Sequence, residues 1–239
     1  MRSYFSNYEI EELADGMMRQ FLGRNCENAT EVNIESFITE YLKLPVRYYT
    51  FAEQDKDKIG FISDGYSPLS IYDDKRIVKA VFPKGTVIIE KFLQSKSEHA
   101  RCRFTLAHEA GHYIMDRSVS RASFHREYDN ERTYSHDDLK ELLNFNESRV
   151  DRFAAALLMP RFILKNVMNK CSAPERIPLF GNGLMQYETK VLIHNMATTL
   201  GVSFSALLIR LKELKLIEYH STAEYIEKEF GFGKEVQYP

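Results

Sequence analysis

Residues 103–114 read RFTLAHEAGHYI and contain two histidines, His108 and His112, four positions apart. On an α-helix this spacing places both imidazoles on one face, one turn apart, where they can share a metal ion. Glu109 follows the first histidine and would lie beside that metal, placed to accept a proton from an activated water. The alternative is a structural helix that carries two partly buried, hydrogen-bonded histidines.

The sequence around this motif predicts a helix. Ser95 and Glu98 have the spacing of a capping box, and the run EHARCRFTLAHEAGHYIM at 98–115 contains no proline. Apolar residues recur at helical spacing on both sides of the motif. Gly111 interrupts this pattern at a cost of about 1 kcal/mol relative to alanine, which indicates that another element packs closely there.

A second informative stretch, ESRVDRFAAALLMP at 147–160, predicts a helix with Glu147 and Asp151 on one otherwise apolar face. Burying carboxylates is costly unless a cation or hydrogen bonds compensate. In the simpler interpretation Glu147 is a first-turn acid favoured by the helix dipole, and Asp151 lies at the edge of the stripe. Because two histidines need further ligands, we favour Glu147 as the third metal ligand. Asp151 would then hold the free ring nitrogen of a ligating histidine.

The composition limits the class of protein. The chain has 239 residues, 44% hydrophobic and 28% charged, which is typical of a soluble globular protein. The net charge of −2 gives no reason to expect general nucleic-acid binding. No stretch approaches 18 uncharged apolar residues, so no membrane span is predicted. The cysteines are few and far apart, and we expect them to be reduced, in a cytoplasmic protein: Cys26, Cys102 and Cys171.

The N-terminal part predicts helices followed by a small sheet. Amphipathic helices are expected within residues 7–43, and β-rich runs within 46–93 predict three to five strands in a mainly antiparallel or mixed sheet. A first hairpin should join VRYYTFAE at 46–53 to IGFISD at 59–64. The last strand leads into the helix of the two histidines. A strand beside the site could pair with an extended peptide substrate, although an ordinary core strand explains the pattern equally well.

Residues 116–146 are rich in Arg, Asp, Glu and Ser and predict a surface excursion with a short helix at 137–143. A hydrolase would need a donor that stabilises the oxyanion of a tetrahedral intermediate, and no residue stands out for this role. Four candidates can be named: Tyr113, His125, Tyr134 and His136.

The C-terminal part predicts a pair of helices after a boundary at 171–183, CSAPERIPLFGNG. Within the helical segment 186–239, Gly201 ends one helix and Ser203 caps the next, as in a helix-turn-helix. The second helix offers few groups for DNA phosphates, so we favour a packing or partner-docking segment over a DNA reader. Those groups are Ser203, Ser205, Arg210 and Lys212.

Three ordered motifs resemble the ImmA/IrrE family of metallopeptidases. They are RFTLAHEAGHYI, the ExxxD pattern of ESRVDRFAAALLMP, and GVSFSALLIRLKEL at 201–214. The similarity covers roughly residues 46–217. Two positions depart from the usual motif: Ala110 stands where a larger aliphatic is common, and Val150 where alanine is common. Neither departure concerns a residue of the chemistry.

The resemblance implies an α+β, zincin-like metallopeptidase core at residues 1–175. In this division the N-terminal helices occupy 7–43, the sheet 46–93 and the two metal helices 97–116 and 147–159. A helix-turn-helix-like helical segment at 186–239 would follow.

The resemblance also implies a zinc metalloendopeptidase with a gluzincin-like ligand set. His108, His112 and Glu147 would be the metal ligands and Glu109 the catalytic acid and base, with Asp151 supporting a ligating histidine. Zinc is the expected metal, and manganese and iron are alternatives.

Members of this family are bacterial or prophage-borne and typically cut helix-turn-helix repressors, so we expect a protein substrate of that kind from a prophage, mobile element or stress regulon. No direct contact with nucleic acid or membrane is expected. One alternative is a non-enzymatic regulator that binds DNA or a partner through 186–239; another is a toxin–antitoxin component. The intact Glu109 favours an enzyme over the regulator, because a structural metal site needs ligands but no base.

Overall fold

The computed structural model describes residues 6–54, 58–115 and 145–231, which form a mixed α+β fold as the sequence predicts. The helices are α1 (Asn7–Leu22), α2 (Ile34–Ser36, continued by a π-helical turn at Phe37–Tyr41), α3 (His99–Met115), α4 (Phe145–Leu158), α5 (Arg161–Lys170), α6 (Tyr187–Leu200), α7 (Phe204–Glu213) and α8 (Thr222–Phe230). The strands are β1 (Val46–Tyr49), β2 (Gly60–Ile62), β3 (Leu69–Asp73), β4 (Arg76–Ala80), β5 (Val87–Glu90), β6 (Ile177–Phe180) and β7 (Ile217–His220).

The polar interval between α3 and α4, at residues 116–144, lies outside the described residues. The short helix predicted at 137–143 and three of the candidate oxyanion donors belong to it. These donors are His125, Tyr134 and His136.

Helix α1 begins at a capping box. The hydroxyl of Ser6 accepts the N–H of Glu9 at 3.3 Å, and the Glu9 carboxylate accepts the N–H of Ser6 at 2.6 Å. Ile10 and Met18 on its apolar face are fully buried. Because this face packs on α4, the N-terminal helix supports the element that carries Glu147.

The main sheet is mixed and has three strands in the order β1-β5-β2, with β1 parallel and β2 antiparallel to β5. The predicted hairpin between β1 and β2 is wrong, because β5 lies between them. All four residues of β5 are buried, whereas only Val46 of β1 is, so the most apolar strand takes the centre. The β3–β4 hairpin is antiparallel, and β6 and β7 form a separate parallel pair.

Strand β5 leads into α3 as expected, but the start of the helix differs from the prediction. Two 3-10 turns occupy most of residues 91–98, and within the described structure Ser95 makes no capping hydrogen bond to Glu98. The Ser95 hydroxyl lies instead 3.1 Å from that of Ser97. The 3-10 turns already order the chain before His99, and α3 follows directly from them.

Helices α3 and α4 pack against each other, and Gly111 lies in their contact. A methyl group on Gly111 would lie 2.9 Å from Val150 Cγ1 and 3.5 Å from Phe153 Cδ1. The close approach inferred from the sequence is therefore confirmed. It brings the part of α3 that carries His112 next to the first turns of α4, which carry Glu147.

Helices α6 and α7 meet at an angle of 99°. That they form a helix-turn-helix-like segment stays a prediction. Gly201 ends α6 in the left-handed conformation, with φ of 66°. The hydroxyl of Ser203 then caps α7 by accepting the N–H of Ala206 at 3.1 Å. Both residues have the local roles that the sequence predicts for them.

Arg210 of α7 is fully buried and belongs to the contact between the two ends of the chain. Its guanidinium donates to both carboxylate oxygens of Glu11 in α1, at 2.5 and 2.7 Å, and its Nε donates to the carbonyl of Met159 at 3.1 Å. Arg210, one of the four groups that the sequence offers for DNA phosphates, is therefore not available to them.

Arg103 connects the histidine helix to the C-terminal helices. Its Nε donates to the carbonyl of Gly201 at 2.8 Å, and its guanidinium pairs with Glu31 at 2.9 Å. It thereby satisfies a carbonyl at the end of α6, where helices leave acceptors without partners. One hydrophobic core includes residues from α1, α3, α4, α6 and α7. The division into 1–175 and 186–239 stays a prediction.

Two expectations from composition concern membranes and cysteines. Among the described residues no single helix is long and apolar enough to cross a membrane; α6 and α7 pass that test only when joined across their bend of 99°. The cysteines are all free, as expected: Cys26, Cys102 and Cys171.

We predict that Gly111→Ala lowers the free energy of unfolding by about 1–2 kcal/mol, because overlap with Val150 outweighs the gain in helix propensity. Val150→Ala removes the overlapping methyl groups. The double variant should therefore lose less free energy of unfolding than the sum of the two single losses, by roughly 1 kcal/mol, as measured by urea unfolding. Gly16→Ala is the matched control: with nothing within 4 Å, it should stabilise α1 by up to about 1 kcal/mol. Purely additive effects at 111 and 150 would contradict the contact.

Candidate metal centre

Three side chains from two helices bring one donor atom each to a common point. His108 and His112 lie on α3 and Glu147 on α4, and their ligand atoms all lie within 4.8 Å of one another. The two Nε2 atoms are 3.0 Å apart, and Glu147 Oε2 lies 3.4 Å from each of them. Both histidines are buried and Glu147 is partly exposed. We call these three residues the ligand triangle.

The ligand triangle fits a divalent cation. Tetrahedral zinc with bonds of about 2.0–2.2 Å separates its ligand atoms by about 3.3 Å, close to the three sides observed. The Oε2 atom of Glu147 is also buried and accepts no hydrogen bond from the described residues. A buried carboxylate oxygen without a partner is costly, and a bound cation would remove this cost. Two imidazole nitrogens and one carboxylate oxygen are a donor set that suits zinc.

Asp151 fixes the orientation of one histidine. Its Oδ1 atom lies 2.8 Å from Nδ1 of His108, one turn along α4 from Glu147. A carboxylate only accepts hydrogen bonds, so Nδ1 carries a proton and donates it. In the neutral imidazole the lone pair is then on Nε2, the atom that faces the ligand triangle. Asp151 therefore contacts His108 on the side of the ring away from the ligand triangle, and its supporting role stays a prediction.

The electrostatics of the site favour a positive charge. Burial by itself disfavours the imidazolium, but the carboxylates of Asp151 and Glu147 outweigh it and raise the pKa of His108 to about 10. Burial would likewise raise the pKa of Glu147, but the two imidazoles hold that pKa well below its ordinary value. A proton and a metal cation therefore compete for the same buried place.

Glu109 is buried, with 1% of its surface exposed, and it faces strand β2. Its carboxylate lies against Gly60, to which the sequence analysis gave no role. The available signal was a glycine inside a β-rich run, which often marks a close approach of another group. The partner could not be named from sequence, because the contact joins distant parts of the chain.

The oxyanion donor stays unassigned. Of the four candidates only Tyr113 is described, and its ring packs on the core, with Cε2 3.9 Å from the position of a Cβ on Gly85. Leu44 contacts the same position at 3.1 Å. The other three candidates lie in the interval at 116–144.

Comparison with known families shows which family the chain belongs to. Residues 85–212 match the family described as the IrrE N-terminal-like domain, a peptidase family designated M78, and the match covers more than half of the chain. The protein belongs to this family. Membership implies metallopeptidase activity, and the matched region contains the whole ligand triangle. A search of curated proteins found no match to the chain.

We predict that the wild-type protein binds about one zinc per chain. Glu147→Ala should abolish or strongly weaken this binding, because the site would lose one of its three proposed ligands. Asp151→Ala should weaken zinc affinity by about 10–100-fold, because His108 loses the partner of its Nδ1. Competition with a chromophoric chelator measures both effects. Glu40→Ala, at an exposed glutamate, is the control and should bind zinc like the wild type. Equal affinities in all four proteins would contradict the site.

Proposed function

We propose that this protein is a zinc-dependent endopeptidase that hydrolyses a peptide bond in a helix-turn-helix repressor of a prophage, mobile element or stress regulon. The observation that carries the proposal is the ligand triangle beside the buried Glu109, inside the region that matches a peptidase family. His108, His112 and Glu147 hold the metal in this proposal. Glu109 is the acid and base of the reaction, and Asp151 orients His108.

The proposed chemistry assigns one task to each residue. Zinc bound at this site would act as a Lewis acid for the scissile carbonyl and would lower the pKa of its water to about 7. Glu109 accepts the proton of the attacking water and passes it to the leaving amine, a contribution typically of about 10²–10⁴ in rate. Asp151 keeps the lone pair of His108 Nε2 directed at the ligand triangle.

Strand β2 offers a place for the substrate backbone. The carbonyl of Ile59 and the N–H of Ser63 bond to the segment of β5, each at 2.9 Å. Alternation along the strand therefore directs the backbone groups of Gly60 and Ile62 to the other edge. In the part of the chain that the structure describes, no strand pairs with that edge. An extended peptide could add to it next to Glu109, which favours a protein substrate.

The alternative of a DNA-binding regulator has weaker support. Arg210 is buried in its ion pair with Glu11, and Ser203 uses its hydroxyl as a helix cap. Only Ser205 and Lys212 remain of the four groups that could contact phosphates. A toxin–antitoxin component would share the peptidase chemistry and differ in its substrate.

We predict that Glu109→Gln retains zinc, because Glu109 is not one of the ligands, but loses cleavage by about 10²–10⁴ or more, because glutamine cannot accept the proton. The zinc-loaded wild type and the variant are each incubated with a lysate of the cells that carry the gene. Labelling of new protein N-termini followed by mass spectrometry then identifies the cleaved bonds, with a chelator as control.

The outcomes separate the parts of the proposal. New N-termini in helix-turn-helix proteins, made only by the wild type and only without chelator, support it fully. New N-termini found only in other proteins would contradict a repressor as the substrate but would support the peptidase activity. Cleavage that persists in Glu109→Gln would contradict the mechanism. No cleavage by zinc-loaded wild type, combined with salt-dependent DNA binding, would favour the regulator.

A further inference from the structure

We infer that Gly60 of β2 is a positioning residue for Glu109: the side chain that Gly60 lacks leaves the space in which the Glu109 carboxylate lies. This inference rests on the proposed function, because it concerns the acid and base of that reaction. It adds a residue on the sheet, outside both metal helices and N-terminal to the region that matches the peptidase family.

The space at Gly60 is filled from two sides by α3. A Cβ atom on Gly60 would overlap Oε1 of Glu109, and it would lie 3.1 Å from Glu109 Cδ and 2.6 Å from Thr105 Cγ2. Real Cβ atoms essentially never approach another heavy atom within 3.0 Å. Thr105 and Glu109 are one helical turn apart, so both project from the same face of α3 onto the strand.

Backbone conformation does not explain the glycine. Gly60 is absent from the glycines with positive φ in the described chain, so an L-amino acid could adopt its backbone angles. A glycine inside a strand costs stability, because it loses more conformational freedom and buries no side chain. Clearance for the two side chains of α3 is the remaining physical reason for glycine at this position.

Of the groups around this space, the carboxylate is the one that would move. Thr105 is fully buried and β-branched, and its hydroxyl donates to the carbonyl of Arg101 at 3.0 Å, which fixes its rotamer. The strand is held by its pairing with β5 and by Phe61, which is buried on the opposite face. Glu109 has three rotatable side-chain bonds, so a methyl group at 60 would displace its carboxylate relative to the ligand triangle.

Such a displacement matters because an acid–base group must lie within hydrogen-bond reach, about 2.6–3.2 Å, of the proton it moves. A misplacement of about 1 Å can cost about 10²-fold in rate. Gly60 is not one of the three residues of the ligand triangle, and a substrate strand would pair with its backbone groups, which Gly60→Ala keeps. Its effect should therefore be on turnover rather than on metal affinity.

The test compares the wild type with Gly60→Ala, Thr105→Ser and the double variant. Serine keeps the hydroxyl that bonds to Arg101 and lacks the methyl group that would overlap a Cβ at position 60. Adding Thr105→Ser to Gly60→Ala should therefore reverse the decrease in melting temperature that Gly60→Ala causes. It should not restore turnover. On a quenched fluorescent peptide built around the strongest cleavage site found in the lysate, kcat of the double variant should stay about 10²-fold low. KM and zinc affinity should change less than about 3-fold.

A second readout does not depend on activity. Crystal structures of the zinc-loaded wild type and the double variant should show the Glu109 carboxylate displaced by about 1 Å or more, with His108, His112 and Glu147 superposed. An unmoved carboxylate beside a shifted β2 would overturn the inference. Recovery of kcat in the double variant would also overturn it, because Gly60 would then have only a structural role.

The two proposals fail in different ways. If the zinc-loaded wild type cuts nothing, the proposed function fails, and the crystal structures still decide whether Gly60 sets the position of Glu109. If Glu109→Gln abolishes cleavage while the double variant keeps wild-type kcat, the peptidase stands and the role of Gly60 alone is refuted.

Discussion

The contact between α3 and α4 at Gly111 is the constraint on which the site depends. The histidines lie on one helix and the carboxylates on the other, so neither helix can form the ligand triangle alone. Their separation is set where Val150 packs directly on the backbone of Gly111. At that separation Glu147 reaches 3.4 Å from both imidazoles and Asp151 reaches His108. A wider gap would leave two buried histidines facing an uncompensated pair of carboxylates.

The elements that support the candidate site extend beyond the region that matches the peptidase family. Helix α1 and strands β1 to β4 precede it, yet α1 packs on α4 and β2 contacts Glu109. The C-terminal helices are joined to the same core by two buried arginines, Arg103 and Arg210. The geometry of the candidate site is thus set by a scaffold drawn from nearly all of the described chain.

Features decided by local spacing could be predicted from the sequence, and features decided by distant contacts could not. The helices of both motifs and the cap at Ser203 depend on residues within a few turns. Gly111 also gave a local signal, as a glycine inside a helical pattern, although its partner Val150 lies on another helix. The order of the strands depends on which strand is buried most deeply, and this placed β5 between the expected partners. Gly60 and Arg210 have partners far along the chain, so their contacts left almost no local signal.

The ion pair between Glu11 and Arg210 spans 199 positions of the chain. During synthesis at about 5–20 residues per second, roughly 10–40 s separate the appearance of the two residues. Until Arg210 emerges from the ribosome, Glu11 lacks the ion-pair partner that it has in the folded chain, so the link between α1 and α7 cannot form. A nascent or prematurely terminated chain would therefore contain both metal-helix motifs without the finished scaffold that holds them together. The scaffold around the candidate site would therefore be complete only after Arg210 has been synthesised.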